Sequence, residues 1–136
     1  MLGGPNPHLV AGAEALRRQQ YLEGIELTLT GLQSQNAPRD HAAALSNLCA
    51  GYAALKQFDL ALKACDDSLN IDRRNWRTWN NRAAAHLGQG RYDAALGDVQ
   101  SGLEVAPHST TLRQTQAIIE AHKRSVNLQD HKAIKA

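Results

Sequence analysis

The sequence predicts an all-α protein made of repeated helix-turn-helix hairpins and closed by a capping helix. Three observations carry this. Hydrophobic residues make up 43% of the chain but aromatics only 4%. Alanine and leucine supply most of the apolar mass; alanine is the best helix former, and the β-branched residues that favour sheets are sparse. The chain also repeats itself: Leu45 falls on Trp79, Phe58 on Tyr92, Asp59 on Asp93, Ala61 on Ala95, Leu62 on Leu96 and Leu69 on Leu103, always 34 residues apart. Within each repeat, apolar residues recur at helical spacing on either side of a short turn.

The first repeat spans about residues 5–38. Its first helix runs from about Pro7 to Gln19 with Gly12 at a small position, and its second begins at Tyr21-Leu22-Glu23-Gly24-Ile25, the counterpart of Tyr92-Asp93-Ala94-Ala95-Leu96. The connection Asn36-Ala37-Pro38-Arg39-Asp40-His41 is three residues longer than the period allows. The second repeat covers 42–75 and the third 76–109. In the third, Trp79, Ala83, His86 and Leu87 make one apolar or small stripe, and Gly88-Gln89-Gly90 interrupts it, because glycines so close together are poor helix interior. Tyr92, Ala95, Leu96, Val99 and Leu103 make the second stripe, which Pro107 ends. Ser109 is a good N-cap for a last helix over 110–124, polar with an apolar edge of Leu112, Ile118 and Ile119. The tail, 125–136, is weakly patterned and is expected to fray. All of this forms one domain.

A 34-residue hairpin period resembles the tetratricopeptide repeat. The third unit matches the family signature at Trp79, Ala83, Gly90, Tyr92, Ala95 and Pro107, with Gly102 where alanine is usual. The second matches at Leu45, Cys49, Tyr52, Phe58, Ala61 and Ser68, with Arg73 where proline is usual, and the first is divergent, as terminal repeats are. The resemblance implies a right-handed superhelical stack of three hairpins plus the cap, its first helices lining a concave groove that holds a peptide or helix of a partner protein. Carried over residue by residue, the groove positions include Leu9, Ala13, Leu16 and Arg17 in the first unit. They continue with Asn47 and Ala50 in the second, Arg77, Asn80, Asn81 and Ala84 in the third, and Thr111 and Gln114 on the cap. The asparagines each offer a donor and an acceptor to a peptide backbone, and the alanines leave room for it. Without a ligand, the same residues are solvated or helix-favouring positions.

The carboxylate clamp of the family's co-chaperones is matched only at Asn47 and, with arginine for lysine, at Arg77. Leu9, Ala13 and Asn81 replace its remaining polar and cationic groups, and Arg82 lies one residue off on another face. In the family's geometry Cys49 and Cys65 face each other across the second hairpin. A reducing cytoplasm favours two thiols in contact without a bond. Trp79 is expected in the core, and Trp76 over the preceding loop.

The remaining features narrow the function. Lysines and arginines number 15 against 13 acids, spread along the chain without a basic block for nucleic acid or membrane. Met1 to Val10 carries no lysine, arginine or long apolar run and reads as a loose Gly/Pro leader. A cytoplasmic protein is the default expectation; the alternative is an exported one without its signal. The six histidines show no ligand spacing, Asp66-Asp67 and Arg73-Arg74 read as solvated surface, and no triad or phosphate loop emerges. The expectation is therefore a binding module without catalysis, cofactor or metal. The competing expectation is a scaffold that self-associates, as a homodimer, through Ile118 and Ile119 on the cap.

Overall fold

Seven helices follow one another in the computed structural model, which describes residues 4–135, and no strand occurs among these residues. They are α1 (Pro7–Arg17), α2 (Tyr21–Leu32), α3 (Pro38–Ala54), α4 (Phe58–Ile71), α5 (Trp76–Gly88), α6 (Tyr92–Val105) and α7 (Thr110–Lys135). Helices α1/α2, α3/α4 and α5/α6 pack as hairpins, and α7 lies against α6 and α5. The stack of helical hairpins with a closing helix is the expected architecture.

The same turn closes all three hairpins. Gln19, Lys56 and Gly90 adopt left-handed φ values of 62°, 60° and 73°. The N–H groups of the next residues, Gln20, Gln57 and Arg91, donate to the carbonyls of Ala15, Tyr52 and His86, each at 2.9 Å. Those of Gln19, Lys56 and Gly90 donate to Leu16, Ala53 and Leu87 at 3.0, 3.0 and 2.9 Å. This is the Schellman closure, which satisfies the last carbonyls of one helix and reverses the chain within two residues. The other ends are held by side chains: Asn6 Oδ1 accepts from His8 and Leu9, Asn75 Oδ1 from Arg77, and Ser109 Oγ from Leu112 at 3.2 Å.

Between the helices, small residues set the spacing. Ala61 and Ala95 are fully buried at the crossings of their hairpins. At Gly12 an added Cβ would collide with the Thr28 hydroxyl on α2, so α1 and α2 reach their separation only with glycine there. One core gathers Ile25, Leu48, Cys49, Ala61, Cys65 and Ala85, the other Ala83, Ala95, Val99, Leu112 and Ile119. Polar groups link repeats: Ser68 Oγ donates to the Ala42 carbonyl at 2.7 Å and lies 3.3 Å from Thr78 Oγ1, with both residues buried.

Five expectations need correction. The segment 36–41 is not all connection: α3 starts at Pro38, because a proline at the first helical position loses no hydrogen bond and its φ suits the helix. The surplus residues become an extra turn. The leader is shorter than Val10, since Asn6 caps α1 directly before Pro7; Met1–Gly3 lie outside the described residues. The segment from Ser125 does not fray out of helix but prolongs α7 to Lys135, in a run with neither glycine nor proline to stop it. Of the pair expected on the outer edge of the cap, Ile119 is fully buried and Ile118 is half exposed. Finally, Cys49 and Cys65 are joined by a disulfide, their Cα atoms 5.3 Å apart, where contact without a bond was expected. Helices that cross at alanine come close enough for a bridge.

Two predictions follow from the turns and the bridge. Lys56→Gly and Gln19→Gly each remove a left-handed side chain and raise unfolding stability by about 1 kcal/mol, whereas Gly90→Ala lowers it by a similar amount; urea unfolding measures all three. With the bridge intact no thiol titrates with Ellman's reagent, even in denaturant, and reduction lowers stability by about 3 kcal/mol.

Candidate functional site

The first helices of the hairpins stand side by side, α1 against α3 and α3 against α5, with α7 beside α5. Between them runs a hollow of 640 Å³ lined by Ala13, Leu16 and Arg17 from α1, Asn47 and Ala50 from α3, and Trp76, Arg77, Asn80 and Asn81 from α5, with Thr111 from α7. Nine of the positions read from the sequence, Ala13, Leu16, Arg17, Asn47, Ala50, Arg77, Asn80, Asn81 and Thr111, meet here. Leu9 lies in the adjoining hollow of 380 Å³, which shares Ala13 and Asn47 with the first. Ala84 and Gln114 are exposed on α5 and α7 and line neither hollow.

The three asparagines differ in what they have left to offer. Asn81 Nδ2 donates to both the carbonyl and the hydroxyl of Ser46, each at 3.1 Å, and so ties α5 to α3. Neither the Asn47 amide nor the Asn80 amide has a side-chain hydrogen bond among the described residues, and Asn80 Oδ1 is buried without a partner. An unpartnered buried acceptor is costly in a folded protein. Arg77 is exposed, and its guanidinium lies 4.6 Å from the centroid of the Trp76 ring, a cation–π stack that orients it along the wall. Trp76 packs against the second core, and its remaining surface lines the groove. The usable signal is its position in the first turn of α5, three residues before the buried Trp79, where one side of the ring meets the core and the other is left at the groove edge.

The opposite face of α5 holds the helix in place. Trp79 is buried, its Nε1–H donates to the Arg73 carbonyl at 2.9 Å, and the guanidiniums of Arg73 and Arg82 lie 5.4 and 5.1 Å from its ring centroid. Arg82 meets the buried Asp98 through two nitrogens, at 3.1 and 2.8 Å, and Asp66 at 3.0 Å. Burial opposes the Arg82 charge, but the hydrogen bonds and attraction of Asp98 and Asp66 outweigh it, so the pKa is raised. Asp66 and Arg73, read as free surface, are thus part of this arrangement, although both stay largely exposed. Arg82 points away from the groove, as its register requires.

His86 Nε2 lies 3.6 Å from Asp98. Burial lowers the His86 pKa, Asp98 and Asp66 oppose that, and the charges of Arg82 and Arg91 reinforce it. The ring is therefore neutral at pH 7 and forms no ion pair. A histidine kept neutral by folding costs nothing above its ordinary pKa of about 6.5, while below it the unfolded chain takes up the proton more readily. Stability accordingly falls as the pH drops from about 7 toward 5, and His86→Gln flattens that slope in pH-dependent urea unfolding.

Among the described residues no three His, Cys, Asp or Glu side chains gather in a metal-ligand cluster, and no helix is long and apolar enough to cross a membrane. No protein-family model matches the chain. The peptidyl-prolyl cis-trans isomerase FKBP4 of Mus musculus is 25% identical over 99 residues, 73% of this chain but only 22% of that protein. The Arabidopsis OM64 TPR domain superposes with a TM-score of 0.75 at 21% identity, over 85% of this chain and 93% of that one. The first TPR of Spaghetti (RPAP3), bound to the HSP90 peptide SRMEEVD, superposes with a TM-score of 0.74 at 20% identity, over 86% and 90%. With the 34-residue period, the signature residues and the seven-helix stack, these likenesses show the fold: the chain adopts the tetratricopeptide-repeat fold.

Proposed function

We propose that the concave groove holds an extended segment of a partner protein, and that the chain works as an interaction module rather than an enzyme. One observation carries this reading. The side-chain amides of Asn47 and Asn80 stand in a channel walled by Ala13 and Ala50 with no side-chain hydrogen bond from the described residues. The Asn47 amide can take one N–H and one C=O of a peptide backbone and Asn80 Nδ2 can donate to a further C=O, which fixes an extended strand whatever its side chains. The related fold of RPAP3 holds a peptide, which supports the reading.

The segment held here differs from a ligand of the carboxylate clamp. Leu9 and Ala13 present no charge. Asn81 spends its donors on Ser46, and Arg82 spends its own on Asp98 and Asp66. Arg77 is the one cation that projects from α5 into the groove beside the amides.

Selection of a random 12-residue peptide display library on the chain tests this. Peptides so obtained bind the parent, and Asn47→Ala combined with Asn80→Ala weakens them by about tenfold or more, one lost hydrogen bond being worth about 1 kcal/mol. The melting temperature stays within a few degrees. Asn81→Ala, by contrast, lowers stability, because it cuts the tie to Ser46. Unchanged peptide binding by the double variant overturns the groove reading, and sedimentation as a tight dimer favours association through α7 instead.

A further inference from the structure

A second hollow, of 570 Å³, adjoins the groove at the N-terminal ends of α3 and α5, and Trp76 and Arg77 belong to both. Three arginines line it: Arg39 from the extra first turn of α3, Arg74 from the turn between α4 and α5, and Arg77 from the first turn of α5. All three are exposed, and none has a carboxylate within 4.0 Å among the described residues. Asp72 is the one acid in the lining, and its Oδ1 accepts the Arg74 backbone N–H at 2.9 Å. Three guanidiniums against one carboxylate leave this hollow at +2.

Two helix N-termini reinforce that field. Helices α3 and α5 have 17 and 13 residues and both direct their positive ends here. The two ends differ: Asn75 caps α5, whereas no side chain caps α3. A lone carboxylate would leave the hollow positive. A phosphomonoester carries close to two negative charges at pH 7 and presents three oxygens to guanidinium forks, so it matches both the charge and the donors.

We propose that this hollow is an anion subsite that takes a phosphorylated serine or threonine of the partner segment lying in the groove. The proposal rests on the groove reading above. Trp76 and Arg77 join the two parts: the strand held by Asn47 and Asn80 runs past the Trp76 ring, and the phosphate falls among Arg39, Arg74 and Arg77. The arrangement makes the module's affinity depend on phosphorylation of its partner.

The test uses three degenerate peptide pools with the central residue fixed as phosphoserine, serine or glutamate, measured by fluorescence anisotropy against the whole chain. The phosphoserine pool binds at least about tenfold more tightly than the serine pool, as expected for new charge-assisted hydrogen bonds, and inorganic phosphate competes. Arg39→Gln with Arg74→Gln abolishes the preference while serine-pool binding and the melting temperature hold. Asn47→Ala with Asn80→Ala weakens both pools alike. No preference for phosphoserine, or a preference that survives loss of Arg39 and Arg74, overturns the proposal while leaving the groove intact. Glutamate bound as tightly as phosphoserine overturns the phosphate in favour of a carboxylate. A phosphoserine preference undiminished in affinity by loss of Asn47 and Asn80 overturns the groove reading on which the proposal rests. Binding of none of the pools overturns both.

Discussion

The two-residue left-handed turn after each first helix governs this molecule. At Gln19, Lys56 and Gly90 the chain reverses with the same pair of backbone hydrogen bonds. Because the reversal is identical, the hairpins stack in register and all first helices fall on one side. The groove is therefore a consequence of backbone hydrogen bonding at three places. Non-glycine residues occupy two of those places despite the cost of a left-handed φ, which shows how strongly packing on either side fixes the geometry.

Helix α5 illustrates how one element serves the core and the site together. Its inner face carries Thr78, Trp79, Arg82, Ala83 and Ala85, all buried or held by Asp98 and Asp66. Its outer face carries Arg77 and Asn80 toward the groove. Asn81 sits at the boundary, and a neighbouring repeat claims it through Ser46. One step in a helix turns a side chain by about 100°, so adjacent asparagines acquire different duties. The buried ion pair contributes fixity of orientation more than net stability, since desolvation offsets much of the attraction between Arg82 and Asp98.

The second repeat departs most from its neighbours. Its first helix gains a turn at Pro38, its hairpin is bridged by Cys49 and Cys65, and its C-terminal turn carries Arg74. The extra turn matters for chemistry because it moves Arg39 up to the start of α5, which the 34-residue period alone would not do. A bridge between α3 and α4 holds the platform from which that turn projects, so rigidity and charge meet in the central repeat.

The 34-residue period, the two apolar stripes per repeat and the signature residues were enough to set the fold class, the hairpin order and the side on which the first helices lie. Local periodicity dictates which face of a helix is apolar, and a repeat passes that information on unchanged. Nine of the twelve positions named from the sequence line one hollow for that reason. What depends on the distance between elements stayed hidden. Whether Asn81 or Asn80 keeps a free amide depends on where Ser46 lies across the repeat interface. Whether Cys49 and Cys65 bridge depends on how closely two helices cross, and whether Ile119 is covered depends on the seat of α7 on α6. The meeting of Arg39, Arg74 and Arg77 joins residues from three separate elements. Sequence pattern determined which way each side chain points along its own helix; only tertiary packing decided what it meets there, because contacts between helices are set by side-chain volumes from several segments at once.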